Sequence, residues 1–197
     1  MQLFRKMVKR VLLTGANGFI ASHVLSDILA RGWSVRAVVR SQAKAEQVIS
    51  DFPNHGTQLD TGVVPDITAP GAFDEVVKST PSFDTVIHTA SPFLYRVISD
   101  NREFIDPAIK GTTEVLKSIK AHAPTVTRVV LTSSCAAVVD FSANPTASPM
   151  KTYTEEDWNP VTLEAAIAGA QNGAYQASKK FAELAGKLAH TISKAYN

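Results

Sequence analysis

Residues 13–22 read LTGANGFIAS, a stretch in which an apolar run breaks at two glycines three apart and then resumes with a helical pattern. A strand that passes through a glycine-rich turn into a helix offers free backbone N–H groups and the positive end of the helix dipole to an anion. In that frame Gly15 permits the tight turn, Gly18 lets backbone approach a pyrophosphate, and small Ala21 lets the helix pack on the sheet. No Gly-Lys-Ser/Thr follows, which excludes the phosphate loop of nucleotide hydrolases. The spacing is G-x-x-G-x-x-A rather than G-x-G-x-x-G, so the turn needs support from the rest of the chain.

Outward from it, five short apolar runs rich in β-branched residues are bounded by turn formers: 8–14, 34–40, 58–64, 84–90 and 127–133. They read as buried parallel strands. Helical patterns lie at 18–31, 42–51, 70–79, 100–122 and 173–195. Regular alternation of strand and helix predicts an α/β fold, a Rossmann-type doubly wound parallel sheet in the order 3-2-1-4-5, as one dinucleotide-binding domain over residues 1–197. The rhythm breaks at 141–172, a segment with several prolines that follows the fifth strand and so lies at the ligand-binding end of such a sheet. It is expected to be a long active-site loop, with Tyr153 and Trp158 either lining a pocket or, as preferred, pinning the loop down.

The 197 residues are 45% hydrophobic, enough for a sizeable core, and carry a net charge of +2 with acidic and basic residues interspersed. No basic stripe points to nucleic acid or to an anionic membrane, so the expected partner is a small molecule. Cys135 is the one cysteine, which excludes an internal disulfide and a multi-cysteine metal site. It is expected to be a small buried residue. The basic, apolar start is cut short by the glycine turn before it reaches signal-peptide or membrane length, and a cytoplasmic location is expected, with Met7 as an alternative start.

The end of the second strand distinguishes the nicotinamide cofactors. An acidic residue there binds the ribose hydroxyls of NAD, whereas this chain has Arg40, then Ser41, and Lys44 in the next helical turn. Cations at that place match a 2′-phosphate and favour NADP(H). Asp66, after the third strand, is suited either to the adenine amino group or to a local cap with Thr68. The fourth strand closes in HTASP, residues 88–92, small enough for backbone to pass near a cofactor, with His88 as an internally satisfied strand histidine.

Reduction of a carbonyl needs a proton donor and a group that polarises the oxygen. Of the four tyrosines only Tyr175 has a lysine at the fourth following position, Lys179, one helical turn along on the same face. A lysine charge so placed favours the phenolate. The fifth strand ends in Ser133 and Ser134, of which alternation lets one face the cleft.

Taken together, TGANGFIASH, HTASPF, RVVLTSSCAAV, DWNP and YQASKKFAE resemble, in order, an extended short-chain dehydrogenase/reductase. Within it the chain is similar to the dihydroflavonol reductase and cinnamoyl-CoA reductase branch, and most to the fungal methylglyoxal and ketone reductases. The resemblance implies a triad of Ser134, Tyr175 and Lys179, with Ser134 preferred to Ser133. It implies NADP(H) held by Gly15, Asn17, Gly18, Phe19, Ile20, Arg40, Lys44, Asp66, Ile67, Thr89, Ala90, Ser91, Thr132, Tyr175 and Lys179. Phe93, Ser134 and Tyr175 would meet an aldehyde, ketone or α-dicarbonyl substrate, and no metal is implied.

Two departures stand out. Lys110 takes the place of an asparagine found in many relatives, and the chain stops at Asn197, short of the family's C-terminal substrate domain. A bare fifth strand is then expected, and with it lower stability or homo-oligomerisation. Two further readings remain beside the reductase: a dinucleotide-binding module without turnover, and an epimerase or dehydratase of the same superfamily.

Overall fold

The computed structural model describes residues 9–91, 99–143, 146, 151–169 and 173–195, the last six of these by backbone alone. Met7 and Phe93 lie outside the described residues. The chain divides into two compact units, Met1–Ala90 with Glu114–Thr132, and Ser91–Thr113 with Ser133–Asn197.

The first unit holds a five-stranded sheet of β1 (Arg10–Thr14), β2 (Ser34–Val39), β3 (Leu59–Val63), β4 (Thr85–His88) and β5 (Arg128–Leu131). Its order is β3-β2-β1-β4-β5 and its described pairings are all parallel, as expected of a Rossmann-type sheet. Side chains of successive residues fall on opposite faces. Val11 and Leu13 therefore join Val35, Ala37 and Val39 against Leu25, Ile28 and Leu29 of α1 (Phe19–Ala30) and Val48 of α2 (Gln42–Asp51). Leu12, Val38 and Val86 face the other way, onto Phe73, Val77, Phe83, Val115 and Ile119. The last two belong to α3 (Arg102–His122). Val11, Leu12 and Leu13 of β1 are fully buried, which explains the unbroken apolar run at its centre. β5 forms one edge of the sheet, with Val130 43% exposed.

The helix expected over 70–79 does not form. Residues 71–77 are a run of turns, because Gly71 sits at φ +69°, outside the helical region, and interrupts the helix at its start. Hydrogen bonds there begin by spanning three residues, from Ala72 N–H to Ala69 O and from Asp74 N–H to Gly71 O. Phe73 and Val77 are nonetheless buried, so an apolar spacing compatible with a helix serves a compact turn.

In the second unit, α5 (Gly173–Ala195) covers the predicted span and packs Ala177 and Phe181 with Ile105, Ala166 and Leu163. The long connection is not structureless: it contains α4 (Leu163–Ile167), capped at Thr162 by a bond from Ala165 N–H to Oγ1 of 3.1 Å. Cys135, expected to be buried, is exposed at the start of a single 3-10 turn, Cys135–Ala137, in which Ala136 and Ala137 take the interior positions instead.

Several carboxylates are held below their ordinary range. The Ser118 hydroxyl does this for Asp74, helped by the nearby charges of His122 and Lys78. Lys117 and then the Gly71 N–H do it for Glu114, Ser142 for Asp140, and Lys151 for Asp157. A lowered native pKa means that the unfolded chain takes up protons first as pH falls. The stabilisation is thus complete above the unfolded values of 3.8 and 4.5 and is lost progressively below them. The melting temperature should hold steady down to about pH 5 and fall from about pH 4.5 downward. Circular dichroism melts across that range check it, and a melting temperature that rises on acidification would contradict the assignment.

Candidate functional site

In the first unit the turn after β1 takes the form its sequence implies. Gly15 adopts φ +68°, and a Cβ built there would lie 3.0 Å from both Cα and N of Ala90. Only glycine meets both conditions without strain. Behind the turn the ends of β1 and β4 are locked together: Thr14 Oγ1 lies 2.8 Å from His88 Nδ1 and accepts from Ala90 N–H at 3.2 Å, while Thr89 Oγ1 donates to Thr14 O at 2.6 Å. His88 is buried and partnered, as expected of a strand histidine. Gly18 caps α1 with no side-chain bond, no acidic residue lies in the first turn, and Ala21 is buried beneath it. Asn17, Gly18, Phe19 and Ile20 are exposed around this helix start, the two apolar side chains by 84% and 57%.

Arg40 and Lys44 are both exposed at the end of β2 and the start of α2, where Ser41 caps the helix by accepting from Lys44 N–H. Asp66 is exposed, with Oδ1 accepting from both the backbone N–H (2.8 Å) and the hydroxyl (2.7 Å) of Thr68. Of its two readings, the local turn is the one seen. Ile67 is half-buried against the core, and Thr132 N–H continues the ladder to His88 O at 3.0 Å.

In the second unit Ser91, Ser134, Tyr175 and Lys179 come together. The Tyr175 hydroxyl donates a long bond to Ser134 Oγ at 3.5 Å, and its ring meets Phe104 edge-on with centroids 6.1 Å apart. Lys179 Nζ stands 5.8 Å from the centre of the same ring and 3.3 Å from Ser91 Oγ. Ser133 is engaged elsewhere, donating to Glu183 Oε2 at 2.6 Å. Strand alternation does not decide between the serines, because β5 ends at Leu131. Ser134 caps the 3-10 turn that starts at Cys135, its Oγ accepting from Ala136 N–H at 3.2 Å.

Two residues escaped the sequence reading. Asn159, 2% exposed, binds the segment after that turn through its own N–H to Ala137 O (2.9 Å) and its amide to Val139 O (2.7 Å), and accepts from Val161 N–H. Glu183 continues a stripe at spacing four, Tyr175, Lys179, Glu183 and Lys187, a signal present in the sequence. Tyr153 fulfils its expected role as a pin, its hydroxyl accepting from Asp140 N–H at 3.2 Å, and Trp158 lies under Lys187 Nζ at 4.3 Å from the ring centre. Among the described residues no helix is long and apolar enough to cross a membrane.

Comparison with known proteins places these features in context. The model of the NAD dependent epimerase/dehydratase family matches residues 11–190. Ketoreductase azaE of Aspergillus niger is 44% identical over 180 residues, covering 91% of this chain and 51% of that protein. NADPH-dependent methylglyoxal reductase GRE2 of Saccharomyces cerevisiae is 43% identical over 177 residues, covering 89% and 51%. The crystal structure of yeast Gre2 complexed with NADPH superposes with a TM-score of 0.86 at 40% identity, covering 94% of this chain and 54% of that one. The chain spans about half the length of the curated relatives it matches.

Proposed function

We propose that this chain, which belongs to the NAD dependent epimerase/dehydratase family, carries the cofactor-binding and proton-donating parts of an NADPH-dependent reductase of aldehydes, ketones or α-dicarbonyls. The observation that carries the reading is the Tyr175 hydroxyl directed at Ser134 with the Lys179 ammonium over the same ring. A yeast relative named as an NADPH-dependent methylglyoxal reductase supports the substrate class.

The residues present fit a dinucleotide. A side chain on Gly15 would fill the cradle against Ala90, and the uncapped start of α1, free of acidic residues, offers N–H groups and a positive dipole end to a pyrophosphate. Arg40 and Lys44 would take the 2′-phosphate, while Ser91 and Lys179 would serve the nicotinamide ribose.

Bound NADPH would supply the hydride. The chain's own residues supply the proton and the field: Tyr175 donates its hydroxyl proton to the carbonyl oxygen as charge develops there, and Ser134 holds that oxygen with a second hydrogen bond. Lys179 stabilises the phenolate left on Tyr175, which regains its proton from solvent.

A fluorescence titration tests the cofactor half. The expected result is saturable binding with preference for NADPH over NADH, and an increase in the NADPH dissociation constant of about tenfold for Arg40→Ala with NADH unaffected. Equal losses for both cofactors would remove Arg40 from the phosphate site. A second reading, a dinucleotide-binding module without turnover, rests on the glycine turn and the open start of α1 alone and predicts the same titration with no carbonyl-dependent NADPH consumption.

A further inference from the structure

We propose that Glu183 is a positioning residue for the reductase site: its carboxylate fixes the Ser133 hydroxyl so that the neighbouring Ser134 is held toward Tyr175. This rests on the proposed reductase function. Three observations meet on it. Ser133 Oγ donates to Glu183 Oε2 at 2.6 Å, a short bond to a charged acceptor of the strong kind. Ser133 and Ser134 lie beyond the end of β5, so their backbone is outside that strand's ladder and other bonds must hold it. Glu183 is itself held, with Oε1 3.4 Å from Lys187 Nζ, and the same Nζ lies over the Trp158 ring.

Glu183 and Tyr175 are two turns apart on one face of α5, so a single rigid helix carries both the proton donor and the group that secures the serine segment. The other end of that segment is tied through Ala136 N–H to Ser134 Oγ and through Asn159 to Ala137 O. A long Tyr175–Ser134 bond leaves little tolerance: a rotation of the serine segment by a few tenths of an ångström separates the two hydroxyls altogether.

Glu183→Gln keeps an oxygen that accepts from Ser133, whereas Glu183→Ala does not. The expected result with NADPH and an α-dicarbonyl is a kcat lowered about tenfold in Glu183→Ala and in Ser133→Ala, no further loss in the double variant, an unchanged KM for NADPH, and recovery of most of kcat in Glu183→Gln. Losses that multiply in the double variant, or no rescue by glutamine, overturn the proposal. So does complete inactivity of Ser133→Ala, which would make Ser133 the catalytic serine. Absence of any Tyr175-dependent turnover in the unaltered chain would instead sink the reductase reading. Labelling of Cys135, the one cysteine, by a thiol reagent then decides the anchoring on its own. Faster labelling in Glu183→Ala and Ser133→Ala, restored by glutamine, upholds it, and equal rates overturn it.

Discussion

Tyr175→Phe should abolish reduction while leaving the protein folded. The substitution deletes the hydroxyl that points at Ser134 and keeps the ring that meets Phe104 edge-on. Tyr175 is 37% exposed, so little core packing depends on it. Loss of a positioned general acid costs about 10²- to 10⁴-fold in rate. The expected outcome is a kcat reduced on that scale, an unchanged dissociation constant for NADPH in the fluorescence titration, and a melting temperature close to that of the parent. Steady NADPH consumption at more than about a tenth of the parent rate would assign the proton to another group. A drop in melting temperature equal to that of a core mutation would show that Tyr175 is structural.

Gly15→Ala is the second large effect, and it acts through the backbone. A non-glycine residue at φ +68° costs about 1–2 kcal/mol. The new Cβ would also press at 3.0 Å on Cα and N of Ala90, atoms of the main chain with no rotamer to yield. Relief requires moving the turn or the end of β4, and that end is tied to β1 by Thr14, Thr89 and Ala90. We expect destabilisation of about 2–4 kcal/mol by denaturant titration. NADPH binding should fall below detection, because the start of α1, which follows the turn directly, shifts with it. An alanine variant with unchanged midpoint and affinity would show that neither the positive φ nor the close approach is needed.

The two experiments probe different units of the chain, and their outcomes separate the reductase from the module without turnover. A binding-competent protein with no Tyr175-dependent rate is the module. A protein that binds and turns over, and loses only turnover in Tyr175→Phe, is the reductase.

Much of this was legible in the residue order because the physics behind it is local. Strands buried on both faces are rich in apolar residues, so Val11–Leu13 in β1 and Ala37–Val39 in β2 marked themselves. A glycine that must take positive φ is visible as a glycine, and the helix that follows is visible in its spacing. Strand order followed from the glycine turn, which marks a Rossmann-type sheet, since alternation alone also suits the order 2-1-3-4-5. Where local signals competed, the sequence misled: the apolar spacing at 70–79 suits a helix, and Gly71 at positive φ turned it into a compact run of turns.

What the order of residues could not decide depends on partners far along the chain. Ser133 and Ser134 are neighbours with the same chemistry, and they part ways only because Glu183 stands 50 residues from one and Tyr175 stands 41 from the other. Cys135 is exposed because Ala136 and Ala137, not the thiol, fill the interior of their turn. Asn159 is buried because three backbone groups converge on it from two strands of chain that only folding brings together. Periodicity and glycines set the scaffold; hydrogen bonds between residues far apart in the chain set which partner each of the two serines meets, because only the tertiary structure brings those partners within reach.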